Sequence, residues 1–146
     1  MDTPKIMIVE DNTTVAEDVR ECLEGLGYGV TSIVATGEDA IESAGKDRPD
    51  AVLMDIKLRG DMDGIKTADR IHNQFDIPVL FLSAYSDREL LQRAKKTGSF
   101  GYLVKPFEER ELYAMLEMTL YKARVEKECR EMEARLARAR KMEAIS

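Results

Sequence analysis

Residues 51–55 read Ala51-Val52-Leu53-Met54-Asp55: four apolar side chains in a row, introduced by Pro49-Asp50 and closed by a carboxylate. A run this short and this uniformly apolar fits a strand buried on both faces, the kind found in the middle of a parallel sheet. The chain repeats the theme on either side. Ile6-Met7-Ile8-Val9 precedes it, Pro78-Val79-Leu80-Phe81-Leu82 follows, and Val30–Val34 and Phe100–Val104 complete a set of five. Amphipathic stretches lie between them. Val15, Val19, Leu23 and Leu26 recur at helical spacing from Thr13 until Gly27 stops the pattern. Thr36 and Asp39 are spaced like a capping box for a second helix, and Ile65, Ala68 and Ile71 mark a third. Ser86 and Glu89 are spaced to cap a fourth, which runs through Ala94 to about Gly98. Strands alternating with helices imply right-handed βαβ units and a parallel sheet covered on both faces.

The last helix is predicted to start near Glu108 and meets no Gly or Pro before Ser146. Leu112, Met115, Leu116 and Thr119 suit packing on the sheet, whereas beyond Tyr121 the composition turns charged and Ala-rich. Met118, Val125, Cys129, Met132, Leu136 and Ala139 then follow at spacings of seven, four, three, four and three, a weak coiled-coil seam. A solvated single helix is the competing reading. The expected organisation is a domain over 1–121 and a helical extension or coiled-coil linker over 122–146.

Composition narrows the function classes. The chain has 146 residues, 44% hydrophobic and 34% charged, enough for one compact domain and an appendage. A net charge of −6 leaves no basic excess to neutralise phosphates, so nonspecific nucleic-acid binding is not expected. Cys22 and Cys129 match no metal or redox spacing and read as small apolar residues in a reducing compartment. No signal-peptide pattern follows Met1-Asp2-Thr3-Pro4-Lys5, and no stretch approaches the ~20 apolar residues of a membrane helix. A cytoplasmic protein without membrane contact is the expectation.

Ligands of parallel α/β sheets bind beyond the carboxyl ends of the strands. Glu10 and Asp11 follow the first strand, Asp55 the third, Ser83 the fourth and Lys105 the fifth. Carboxylates gathered there repel, by about 4 kcal/mol per pair at ~4 Å and an effective dielectric of ~20. A hard cation would offset that cost, and Mg²⁺ suits one or two carboxylates, waters and a phosphate oxygen. With Lys105 as a further positive charge, the set would hold a phosphoryl group, which needs positioning and neutralisation more than covalent help. Asp55 would be the nucleophile. Any one of these residues taken singly has a bland explanation, as a helix cap or a solvated charge; their convergence from four strand ends does not.

These residues also carry a family resemblance. Ile8-Val9-Glu10-Asp11, Leu53-Met54-Asp55-Ile56, Met62-Asp63-Gly64, Phe81-Leu82-Ser83-Ala84 and Gly101-Tyr102-Leu103-Val104-Lys105-Pro106-Phe107 occur in order. Across about Lys5 to Tyr121 the chain resembles the receiver domain of two-component response regulators. The resemblance implies a flavodoxin-like sheet of order 2-1-3-4-5 and phosphorylation of Asp55 by a histidine kinase or a histidine phosphotransfer protein. It implies a Mg²⁺ bound by Asp11, Asp55 and the Lys57 carbonyl, with Glu10 supporting the metal through water. Ser83 matches the switch hydroxyl and Tyr102 the aromatic that moves with it. Ala84 leaves room for phosphate beside Lys57 and Lys105, and the Lys105–Pro106 bond is expected to be cis.

Two departures stand out. Leu58-Arg59-Gly60-Asp61 makes the loop after Asp55 one residue longer than the usual Met-Pro-type loop, and Lys57 and Tyr85 occupy positions that tune acyl-phosphate lifetime in relatives. His72, on Ile71-His72-Asn73-Gln74, has no phosphodonor context and reads as a surface or boundary histidine. The end, Ala139–Ser146, resembles the stretch before the histidine box of sensor kinases, which would make the chain a receiver from a hybrid kinase; a stand-alone single-domain regulator ending in a helix is the rival reading. Two other classes compete with a phosphorylation switch. A pseudo-receiver binding or dimerisation module need keep none of Asp11, Asp55, Ser83 and Lys105. An aspartyl-phosphate phosphatase generally wants an acid two residues after its nucleophile, where Lys57 stands.

Overall fold

The structure, a computed structural model, describes residues 3–58, 60, 62–84, 87–97 and 101–145. Expectations that fall on Arg59, Asp61, Tyr85, Ser86, Gly98, Phe100 and Ser146 lie outside the described residues. Five strands and five helices alternate: β1 (Lys5–Val9), α1 (Thr13–Gly25), β2 (Gly29–Val34), α2 (Gly37–Asp47), β3 (Ala51–Asp55), α3 (Gly64–Phe75), β4 (Val79–Ser83), α4 (Arg88–Thr97), β5 (Gly101–Val104) and α5 (Glu109–Ile145). All strand pairs are parallel, in the order β2-β1-β3-β4-β5. That is the doubly wound, flavodoxin-like sheet the sequence implied.

Alternation along the strands sorts the core into two layers, because successive side chains point to opposite faces. Met7, Val9, Val52, Met54, Val79 and Phe81 pack under α2, α3 and α4. Ile6, Ile8, Leu53, Leu80, Leu82 and Leu103 pack under α1 and α5, where Leu23, Leu112 and Leu116 meet them. β1, β3 and β4 are buried on both faces, which is why their sequences are uninterrupted apolar runs. β2 is a half-buried edge strand and accommodates Thr31 and Ser32.

Helix ends follow local chemistry. The Asn12 side chain accepts from the Thr14 and Val15 amides, and Thr36 Oγ1 accepts from the Asp39 amide. Asp63 caps α3 by accepting from the Lys66 amide at 2.8 Å. α1 closes on Leu26, and Gly27 takes the left-handed backbone that follows. The predicted fourth-helix cap at Ser86 lies outside the described residues. The Asp87 carbonyl accepts the Leu91 amide, so α4 opens on Asp87.

α5 is a single helix of 37 residues. Its first turns bury Leu112 and Leu116, but from Tyr121 to Ala144 every side chain except that of Ala123 is exposed. An ion pair between Arg130 and Asp76, the left-handed residue closing α3, ties the extension to the domain.

Candidate functional site

The register of the sheet brings the acids together. Val9 pairs with Met54, and Asp55 pairs with Leu82. One residue further on, the Glu10 amide donates to Val34 O at 2.9 Å and the Ile56 amide to Leu82 O at 3.0 Å. Each strand end is therefore pinned by its neighbour's carbonyl. The Lys105 amide donates to Ser83 O at 2.8 Å in the same way, past the end of β5. The Lys105–Pro106 bond is cis, as expected.

Glu10, Asp11 and Asp55 each offer a carboxylate oxygen, and these lie within 4.8 Å of one another. Lys105 Nζ stands 3.2 Å from Glu10 Oε1 and 3.9 Å from Asp55 Oδ2. Asp55 Oδ1 accepts the Lys57 amide at 3.0 Å, which orients the carboxylate. Glu10 is the buried member, while Asp11 and Asp55 are half-exposed. Burial, then the adjacent Asp55, pushes the Glu10 carboxyl up to about 7; Lys105 opposes the rise and Asp11 adds to it. Ionising Glu10 beside the other acids is thus disfavoured.

Two shallow clefts meet at these acids. One is bordered by Glu10, Asp11, Asn12, Thr13, Asp55 and Lys105. The other is bordered by Asp11, Asp55, Lys57, Leu58, Ala84, Asp87 and Lys105. Ala84 is exposed at the rim, as is Lys57. Ser83 is different. Its Oγ is buried and has no hydrogen-bond partner among the described residues, an uncompensated polar atom one residue before the cleft wall. Tyr102 is partly exposed and turned outward, with Lys95 Nζ 5.6 Å from its ring centre.

The Asp63-Gly64 pair has a physical explanation that spacing did not reveal. A Cβ on Gly64 would stand 2.7 Å from Ile56 O and 2.9 Å from Asp55 O. Only glycine lets α3 start this close to the backbone of the acidic site. Asp63 also pairs with Arg93 of α4 at 3.1 Å. Burial alone would raise its pKa, but the Lys66 amide and the Arg93 guanidinium outweigh it and hold Asp63 below the usual carboxylate range. Asp87, Asn12 and Arg93 join the site without having been singled out by motif or spacing. Asp87 was findable, because an aspartate directly before Arg88-Glu89-Leu90-Leu91 is a helix-start signal.

A doubly wound sheet that collects acids at the ends of its inner strands, with one lysine reaching in from the last, defines the receiver class. Comparison agrees: the response regulator receiver domain family matches residues 6–117, and the chain belongs to it. Among curated proteins it is 34% identical over 120 residues to the transcriptional regulatory protein PdtaR of Mycobacterium tuberculosis, covering 82% of this chain and 58% of that protein. The chain therefore spans a little over half the length of that relative. Its fold matches the signal receiver domain of a modulated diguanylate cyclase from Desulfovibrio desulfuricans G20, with a TM-score of 0.80 and 40% identity over 86% of this chain and 99% of the other. It also matches the receiver domain of sensor histidine kinase PA1611 from Pseudomonas aeruginosa PAO1, with a TM-score of 0.70 and 34% identity over 82% and 98%. That structure has a magnesium ion coordinated in its active-site cleft.

Proposed function

We propose that this chain is a phosphoacceptor switch in which Asp55 receives a phosphoryl group from a phosphohistidine on a histidine kinase or phosphotransfer protein. The observation that carries this reading is Asp55 itself, at the end of β3, clustered with two further acids and facing Lys105 at 3.9 Å. An Asp55 carboxylate oxygen attacks phosphorus as the N–P bond of the donor breaks. The bonding pair returns to the imidazole nitrogen, which takes a proton. Lys105 leaves Glu10 to neutralise the equatorial oxygens, and the unpartnered Ser83 Oγ donates to one of them. Tyr102, now outward, follows Ser83 inward. Ala84 and Lys57 line the phosphate pocket beside Lys105.

Mg²⁺ fits the donor set, since three clustered carboxylates are hard oxygen ligands whose mutual repulsion a divalent cation relieves. Asp11, Asp55 and the Lys57 carbonyl would hold it, with Glu10 behind, and it would supply charge neutralisation to the transferring group. On this reading the chain catalyses only its own phosphorylation and dephosphorylation. It works in the cytoplasm without nucleic acid or membrane; no helix among the described residues is long and apolar enough to cross a bilayer.

Residues 1–121 form the switch and 122–146 its helical extension. α5 exposes Met118, Val125, Met132 and Leu136, which supports pairing with a second copy through this helix. In a parallel pair with Cys129 and Leu136 at a positions, Glu128 faces Glu133 of the other helix and Arg135 faces Arg140. Such a homodimer is weak and is strengthened by salt.

The test is intact-protein mass after incubation with acetyl phosphate and Mg²⁺. One added phosphoryl group that needs Mg²⁺ and is absent in Asp55→Asn is the expected result. No gain from acetyl phosphate or from any of a panel of phosphorylated kinases, with metal shown to bind, would favour a pseudo-receiver module instead.

A further inference from the structure

The cleft beside Asp55 contains an anion of the protein's own. Asp87, at the start of α4, turns its carboxylate back so that Oδ2 accepts the Ala84 amide at 2.8 Å. The reverse contact closes the same turn, with the Asp87 amide donating to Ala84 O at 3.0 Å. Both residues border the cleft that also holds Asp11, Asp55, Lys57 and Lys105. Asp87 is half-buried there, and no cation pairs with it among the described residues. Among the described residues, its carboxylate is held in an already acidic cleft by a hydrogen bond to one backbone amide.

A cleft that receives a phosphoryl group must offer it donors, and a rim amide is a strong one for an oxyanion. In the unphosphorylated protein that donor is engaged. Once Asp55 carries a dianion, two anions compete for one amide, and they also repel across the shared cleft. Resting on the phosphoacceptor reading above, we propose that Asp87 is a built-in competitor for the phosphoryl group, occupying the Ala84 amide until phosphorylation of Asp55 displaces it. The displaced side chain belongs to the residue whose carbonyl starts α4, so its release loosens the first turn of that helix. The competition makes the unphosphorylated state the default and couples Asp55 chemistry to α4 directly, beside any movement of Ser83 and Tyr102.

The competing explanation is that Asp87 is only a helix cap. Asparagine and serine cap about as well as aspartate, so replacing it with either removes the charge and keeps the cap. The experiment measures binding of beryllium fluoride, a phosphoryl mimic, in the presence of Mg²⁺ to the wild type, Asp87→Asn and Asp87→Ser. The Ala84 amide resonance is followed in the same titration. Charge-assisted hydrogen bonds are roughly twice as strong as neutral ones, so both variants are expected to bind the mimic about 3- to 10-fold tighter. In the wild type the Ala84 amide shifts on binding; in the variants it starts from a different, more weakly bonded position. Unchanged or weaker affinity in either variant that melts like the wild type overturns the proposal and leaves a cap. Asp55→Asn is the control. If the wild type binds the mimic no better than this control, the phosphoacceptor reading itself fails, and the competitor role falls with it.

Discussion

Replacing Asp55 by asparagine should make the metal-free protein more stable, even though it removes the residue on which function is proposed to depend. The reasoning is electrostatic. Asp55 lies with Glu10 and Asp11 in a group whose carboxylate oxygens are within 4.8 Å of one another, and 3.9 Å from the Lys105 ammonium. At an effective dielectric of ~20, each repulsion costs about 3.5 kcal/mol and the attraction returns about 4.3 kcal/mol. Two repulsions against one attraction leave a net cost of about 2–3 kcal/mol when all three acids are ionised. Asp11, Asp55 and Lys105 are partly exposed, and screening reduces this to about 1–2 kcal/mol. Thermal unfolding in EDTA at pH 8 is the assay, because Glu10 is then largely ionised. Asp55→Asn should melt about 3–8 °C higher than the wild type. Adding Mg²⁺ to 100 times its Kd should then stabilise the wild type by about 2.7 kcal/mol and the variant far less. A variant that melts lower in EDTA, or gains as much from Mg²⁺ as the wild type does, refutes the reasoning.

The pH dependence has a defined sign. Glu10 has a folded-state pKa of about 7 against 4.5 for the free carboxyl, so its contribution to stability is fully present below 4.5 and is lost as pH rises through 7. Chemical denaturation of the metal-free protein at pH 5 and pH 8 should show this loss, and Glu10→Gln should flatten it. Gly64→Ala forces a Cβ against the Asp55 and Ile56 carbonyls; it should cost about 1–3 kcal/mol in urea unfolding and slow phosphorylation by acetyl phosphate. Truncation after Tyr121 should change the melting temperature of the domain little, because the described side chains beyond it, Ala123 apart, are exposed, while abolishing self-association. Sedimentation of the full chain should show that association rising between 50 and 500 mM NaCl; a fall would exclude the parallel pairing described above.

The sheet was legible because burial on both faces leaves an uninterrupted apolar run, and β1, β3 and β4 have little freedom to read otherwise. Residues at strand ends were legible for a related reason. The position after a buried strand is fixed by the ladder, so Glu10, Asp55 and Lys105 could be assigned to one edge before any coordinates. What did not show in the sequence was how side chains share partners once there. Lys105 lies nearer to Glu10 than to Asp55, and Ser83 sits buried with its hydroxyl unpartnered among the described residues. Neither follows from spacing, since both depend on rotamers set by packing. The contacts that Gly64 and Asp87 make did not show for a different reason: turns carry no hydrophobic period from which such contacts could be read.

The unbroken course of α5 has a mechanical consequence. At 1.5 Å per residue, the 24 residues after Tyr121 form a rod of about 36 Å whose base is packed on the sheet beside β5. A tilt of about 10° at that base, too small to unpack Leu112 or Leu116, would carry the far end sideways by about 6 Å. The Arg130–Asp76 pair braces the rod about a third of the way along, and thereby ties its angle to the end of α3. A rigid arm of this kind turns a sub-ångström adjustment within the domain into a displacement of several ångströms at its tip.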